Sequence, residues 1–325
     1  MFRRNVLAAG LGAGAAALVH PAFADPAWPT QPVRLVVPFS AGGPTDIPAR
    51  LFADELSKFL PQRIVVENRT GAGVVVGSEM VAKGPKDGNT LLYNTIAHSV
   101  LRPLFPRLSF DPIADFQPVV LVGVIPMVIT VNKDFPVRTL QDLAALLKKE
   151  PGKYDYASSG NGGALHLASE LFLRAAGARA NHVPYRGTAA AMPDVLNGAI
   201  PIIIDVATTA LPYVQRGETR ALAVMSSKRI ASIPDVPTTA EAGFPGLEAY
   251  TWHMVLAPAG TPMPVVQEIN AGFNRVAAMP SVQQKLADLA MELRSDTTPE
   301  SAAAFLRSEA AKWEGIIRDA GIKVD

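Results

Sequence analysis

The sequence predicts an α/β protein of two lobes, each a mixed, mostly parallel sheet flanked by helices, with a ligand in the cleft between them. Three observations carry this prediction. Short aliphatic runs alternate with stretches of helical apolar spacing along most of the chain, the pattern of βαβ units. A Gly-rich strand-to-helix turn occurs twice, closing at Gly43 and again at Gly163, 120 residues later. The 325 residues are 49% hydrophobic, enough for one large or two medium domains with a sizeable core.

The elements follow in order. Val33–Pro38 reads as a buried strand of branched aliphatics. The loop Phe39–Asp46 follows, and then a helix over 47–59 with apolar residues at Leu51, Phe52, Leu56 and Phe59. Arg63–Glu67 is the next strand, 74–82 the next helix, and Thr90–Tyr93 a third strand ending at Asn94-Thr95. Pro118–Val131 reads as two short aliphatic strands broken at Gly123 and Pro126, with a helix over 140–149 behind them. The opening pattern then recurs: strand 154–157, the loop Ser158–Gly163 and a helix over 164–176. Strand 182–185, helix 189–196, strand 200–205, helix 208–215 and strand 221–225 continue the alternation, and helices over 265–278, 281–289 and 299–320 close the chain.

Composition excludes several classes. Lys plus Arg total 30 against 29 acids, a net charge of +1, without the basic excess that a nucleic-acid binder relies on. The absence of Cys removes disulfides, thiolate metal sites and a cysteine nucleophile. The first 24 residues have the form of an export signal: cationic Met1–Asn5, fourteen apolar or Gly residues over Val6–Val19, and the small-x-small pattern Ala22-Phe23-Ala24. Fourteen residues fall short of the roughly 20 that cross a bilayer. Cleavage before Asp25 is expected, and Arg3-Arg4 also resembles a twin-arginine signal. Removing Arg3 and Arg4 leaves 301 residues with net charge −1, and no later apolar run reaches 18 residues. A soluble periplasmic protein is expected.

The loops suggest anion chemistry. A Gly-rich turn at a helix start exposes N–H groups without intrahelical partners, and these with the helix dipole bind carboxylate or phosphate. The alternative is that Gly42-Gly43 and Gly162-Gly163 only permit tight turns. Asp46, in its helix's first turn, suits capping. His166 holds the matching position after the second turn, where it either donates to a bound acid or packs between sheet and helix. Asp205 ends an aliphatic strand, where ligand groups collect in open α/β sheets; there it would receive an amine or hydroxyl. Gly71–Gly77 resembles a dinucleotide fingerprint in a GxGxxxG variant, but no strand-end acid follows about 20 residues on, which favours tight packing. No nucleophile elbow, P-loop or HExxH motif is present, and the five histidines are too scattered for a metal site. No cofactor or metal is expected.

The segment from Pro38 to Arg50, P-F-S-A-G-G-P-T-D-I-P-A-R, resembles the P-F/Y-x-x-G-G-x-x-D-x-x-A-R signature of the Bug receptors, solute-binding components associated with tripartite tricarboxylate transporters. The resemblance continues in order through Glu67–Gly73, Asp87–Leu92, Ser159–Leu167, His182–Gly187, Leu222–Val224, Pro234–Gly243 and Ala257–Pro262. It implies a type II periplasmic-binding-protein fold closing on a small carboxylate, with the two Gly-rich loops as its contacts. By position these are Phe39, Ala41, Gly42, Gly43 and Asp46, then Ser158, Gly160, Gly163 and His166. Strand-end geometry adds Thr95 and Asp205. Pro44 stands where the family often has Gly and removes one amide donor.

The resemblance also implies that the chain crosses between lobes near 128–131 and returns near 250–255. Residues 25–128 with 252–325 then form lobe 1, and 129–251 lobe 2. The expected function is non-enzymatic: a monomeric receptor presenting an organic acid to membrane permease subunits. The alternatives are a sensory receptor with the same cleft, an oxidoreductase using Gly71–Gly77, or a serine hydrolase using Ser158 or Ser159, Ser159 foremost, with His166 as base.

Overall fold

The computed structural model describes residues 28–322, so the export signal and its cleavage point lie outside the described residues. β1 (Val33–Val37) runs through the first Gly-rich turn into α1 (Asp46–Leu56), followed by β2 (Ile64–Asn68), α2 (Val75–Ala82) and β3 (Thr90–Thr95). A short α3 (Leu101–Leu104) precedes β4 (Phe116–Asn132). Then come α4 (Leu140–Lys149), β5 (Asp155–Ser158), α5 (Ala164–Ala176), β6 (Asn181–Pro184), α6 (Thr188–Leu196), β7 (Ile202–Val206), α7 (Ala207–Gln215) and β8 (Thr219–Val224). The chain closes with β9 (Tyr250–Pro258), α8 (Met263–Ala277), α9 (Pro280–Ala287), β10 (Glu292–Leu293) and α10 (Pro299–Ala320).

The described strands form one mixed sheet in the order β2-β1-β3-β9-β4-β7-β5-β6, with β10 and β8 also on β4. The α/β alternation fits the sequence pattern, with one correction. The stretch expected as two short strands is a single 17-residue strand, β4, buried along almost its whole length. Its irregularities are absorbed as register shifts at Pro118/Val120 and Leu121/Gly123, and burial on both faces gives the continuous aliphatic run. Pro126 falls where β4 changes partners. Phe116–Pro126 pairs with β9, whereas Met127–Val131 pairs with β7.

At that change three backbone segments meet. Met127 N–H donates to Ala249 O at 3.0 Å, Met225 N–H to Met127 O at 2.8 Å, and Ala249 N–H to Met225 O at 3.0 Å. Strand polarity then orients the loops. β1 and β3 are parallel and β9 is antiparallel to both β3 and β4, so β4 runs in the direction of β1 and β3. β7 is antiparallel to β4, and β5 and β6 follow β7. The C-terminal ends of β1 and β3 therefore point along β4 toward the far half-sheet, and those of β5, β6 and β7 point back.

Helices cover both faces. α1 and α8 pack through stacked Phe52 and Phe273, whose centroids lie 5.4 Å apart. α10 fastens the returning chain. Its buried Glu309 accepts hydrogen bonds from the indoles of Trp252 (3.2 Å) and Trp313 (2.9 Å), while Lys312 Nζ donates to the Glu248 carbonyl at 2.9 Å. Arg174 of α5 pairs with Asp319 near the end of α10. Glu309→Ala strands two buried indole donors, each costing about 1–3 kcal/mol. Urea unfolding of that variant is expected to show a clear loss of stability, and a smaller one for Glu309→Gln, which retains an acceptor. Wild-type stability in Glu309→Ala would show that this carboxylate does not hold the crossing.

Candidate functional site

The loop after β1 is built around Asp46. Gly42, in the left-handed region at φ 75°, turns its N–H onto Asp46 Oδ2 at 2.8 Å. The same oxygen accepts from Arg50 Nε at 2.7 Å, and Oδ1 accepts from Asn68 Nδ2 at 2.8 Å. Asn68, at the end of the neighbouring β2, also donates to Phe39 O, at 2.9 Å, and accepts from Arg50. Burial works to raise the Asp46 carboxyl, but the hydrogen bonds from Arg50, Gly42 and Asn68 outweigh it and hold it below the ordinary carboxylate range. Asp46 is buried with both oxygens engaged. It shapes the loop, while Ala41 and Gly42 stand exposed. Among the described residues, the N–H groups of Ala41, Gly43 and Thr45 have no hydrogen-bond acceptor.

The loop after β5 repeats the device with different chemistry. Gly162, at φ 68°, donates its N–H to His166 Nδ1 at 3.0 Å, again four residues ahead. An accepting Nδ1 is unprotonated, so the ring is neutral. Burial first, and then the neighbouring His182, pushes His166 down to about 4. The two imidazoles stack with centroids 3.7 Å apart, and the Tyr156 ring lies 5.1 Å from that of His182 and 6.3 Å from that of His166. Buried Ser158 lies 2.5 Å from His182 Nε2 and accepts the Gly160 N–H at 3.1 Å. The β6–α6 connection is tied to this loop, since Tyr185 N–H donates to Ser158 O and Gly187 N–H to Ser159 O. Gly163 caps α5, and the first-turn amides of Ala164, Leu165 and His166 find no acceptor among the described residues.

The two remaining expected residues bracket the crossing. Thr95 ends β3, its N–H held by Asn94 Oδ1 at 2.8 Å. Behind it buried His98 donates from Nε2 to Pro112 O at 2.7 Å, which leaves Nδ1 to accept from Asn94. Asp205 ends β7, opposite Val128 of β4. The structure thus sets the expected residues on the strand ends that point at each other, in two groups: Phe39, Ala41, Gly42, Gly43, Asp46 and Thr95, and Ser158, Gly160, Gly163, His166 and Asp205.

Asn68 and His182, which the sequence does not single out, complete the hydrogen-bond networks of the two loops. Asn68 was visible as a polar strand end beside the Gly-rich loop, while His182 depends on parallel β5–β6 pairing that no local pattern encodes. Of the serines in the hydrolase alternative, Ser158 meets a histidine, and that histidine is His182 rather than His166. Gly77 of the GxGxxxG segment packs tightly: a Cβ there would lie 2.9 Å from both Arg69 O and Pro38 Cβ, which accounts for that glycine by helix–strand packing. No group of three or more His, Asp or Glu able to hold a metal occurs among the described residues.

Residues 48–322 match the model of the tripartite tricarboxylate transporter family receptors. The chain belongs to that family. Protein BugT of Bordetella pertussis is 34% identical over 321 residues, covering 97% of each chain. Among solved structures, MatC from Rhodopseudomonas palustris with bound malate is 32% identical with a TM-score of 0.76, over 89% of this chain and all of that one. The R. palustris protein Rpa4515 with adipate is 34% identical with a TM-score of 0.78, over 91% of this chain and all of that one. These neighbours are binding proteins of the two-lobed periplasmic type. No helix among the described residues is long and apolar enough to span a membrane.

A depressed histidine pKa has a signed consequence for this receptor. His166 titrates below its ordinary 6.5 in the fold, so the unfolded chain binds the proton first. Its contribution to stability is complete above 6.5 and erodes as pH falls toward about 4. Between about pH 7 and pH 5, His166→Asn is expected to lose about 1–2 kcal/mol less stability in urea unfolding than the wild type does. Equal losses would show that His166 is not held neutral by the loop.

Proposed function

We propose that this receptor captures a small organic acid in the cleft between its lobes and presents it to membrane permease subunits. The observation that carries the reading is the pair of loops on opposed strand ends, each with one glycine amide tied four residues ahead, and with the amides of Ala41, Gly43 and Thr45 in the first and of Ala164, Leu165 and His166 at the second left without an acceptor among the described residues. Unpaired amides at helix starts are carboxylate donors, and the helix dipoles add to them. Malate and adipate in the structures of two relatives support the same ligand class. In this reading Ala41, Gly42, Gly43, Gly160 and Gly163 contact the ligand through backbone, Phe39 and Thr95 line the near wall, Ser158 lies behind the far loop, and Asp46 and His166 position the loops. The lobes divide where β4 changes partners at 126/127 and where the chain returns at 249/250, two residues ahead of the expected boundaries. Residues 1–24 direct export to the periplasm and are removed, and the protein acts as a monomer without catalysis. Ligand binding favours the closed state, which couples capture to delivery.

Thermal shift against mono-, di- and tricarboxylates, with amino acids, nicotinamide and nucleotides as controls, tests this directly. An acid at 100 times its Kd is expected to stabilise the chain by about 2.7 kcal/mol. Gly43→Val and Gly163→Val are expected to abolish that response. A Cβ added at Gly43 lies 3.3 Å from Ser40 O, and one at Gly163 lies 3.2 Å from Ser159 Oγ and 3.3 Å from Gly160 O, contacts that shifts of a few tenths of an ångström relieve, so each variant is expected to fold, which its urea unfolding checks. Silence from every acid, or undiminished binding in both variants, would overturn the proposal.

A further inference from the structure

Asp205 does not share the arrangement of the other site carboxylate. Asp46 has Arg50, Asn68 and a backbone amide; Asp205 has no cation, and only one of its oxygens is used. Oδ1 accepts from Val206 N–H at 2.8 Å and from Thr188 Oγ1 at 3.2 Å. Oδ2 is the one anionic atom among the buried side-chain nitrogens and oxygens that lack a partner within the described residues. The residue is 1% exposed, and burial pushes its carboxyl up to about 6 against the opposing donors Thr209, Val206 and Thr188, with no cation beside it. It sits at the C-terminal end of β7, between the starts of the nine-residue helices α6 and α7. Its partner Thr188 follows Gly187, whose N–H is bound to the anion loop at Ser159 O, so Asp205 is mechanically part of the site.

From this geometry we infer that Asp205 is a specificity-determining residue, its free Oδ2 accepting a hydrogen bond from the ligand, so that this receptor selects carboxylic acids bearing a hydroxyl or ammonium donor over their unsubstituted counterparts. The inference rests on the carboxylate-capture reading and divides the labour of that site. The loop amides recognise the anionic end, where a side-chain carboxylate would repel it. Asp205 stands apart from them, and only a donor is welcome there. A site whose buried acceptor is left unpaired by the wrong ligand discriminates more strongly than one that merely lacks a contact.

The test is calorimetric titration of the chain at pH 8, where Asp205 is ionised, with three matched series: propionate, lactate and alanine; succinate, malate and aspartate; glutarate, 2-hydroxyglutarate and glutamate. In the series that fits the cleft, a donor-bearing acid is expected to bind at least tenfold tighter than the unsubstituted one. Asp205→Asn, which keeps an acceptor for Thr188 and Val206, is expected to shrink that preference to threefold or less while the unsubstituted acid binds as well or better. Should that variant unfold, Asp205→Ser, smaller and uncharged, reads the same loss. No preference in the wild type, or a preference that survives in the variant, overturns the inference while the receptor reading stands. No binding by any acid in any series overturns both.

Discussion

One strand serves two half-sheets, and the site depends on that sharing. β4 pairs with β9 along its first eleven residues and with β7 beyond Met127, so the polarity of each half is set against the same ladder. Had β7 and β5 run parallel to β4, their C-terminal ends would point away from those of β1 and β3. Because they run against it, the turns after β1, β2, β3, β5, β6 and β7 open toward the crossing. Each such turn delivers a helix N-terminus, so the starts of α1, α5, α6 and α7 share one region. Partial positive charge gathered in this way attracts an anion locally, which a chain of net charge +1 does not do through its overall field.

Such a region needs its loops held without spending the amides that do the binding. Both loops solve this alike, one glycine N–H being tied to a side chain four residues ahead. The acceptors differ in the charge they bring. Asp46 introduces a negative charge beside the proposed anion site, and Arg50 with Asn68 compensates it inside the loop's own network. His166 brings no charge, because burial and the stacked His182 keep it neutral. Two chemistries thus meet one constraint, which is to fix the loop and add no net repulsion.

How much of this the sequence revealed follows from the range of each interaction. Helix α5 is readable to the residue, because its apolar spacing and the preceding Gly-Gly are local signals. The spacing of Gly43 to Asp46 and of Gly163 to His166 is local too, so the paired loops were visible as a pattern before either hydrogen bond was. Long-range pairing is what the chain conceals. Pro126 reads as a break, since a proline lacks the N–H a ladder needs, and only the change of partner at that residue explains why the strand continues. Ser158 meets His182 because the parallel register of β5 and β6 sets Tyr156 beside His182 and Ser158 beside Pro184. Nothing within either segment fixes that register. β10, two residues long, has no periodicity to detect.

The division between backbone and side chain also bears on how this fold accommodates different acids. Amide donors are supplied by any residue but proline, and the conformation that frees them is held by glycines and two buried acceptors. That part of the site tolerates wide sequence change, consistent with relatives about one-third identical that keep the fold while holding malate in one case and adipate in another. Discrimination has to reside in groups the amides cannot replace: side chains on strand ends, buried, with a defined donor or acceptor left open. In this chain Asp205 meets that description by its unpaired oxygen, whereas Asp46, of the same residue type and equally buried, is excluded by its full set of partners. Burial alone does not mark a carboxylate as ligand-facing. What separates the two is whether the protein itself has already answered the charge.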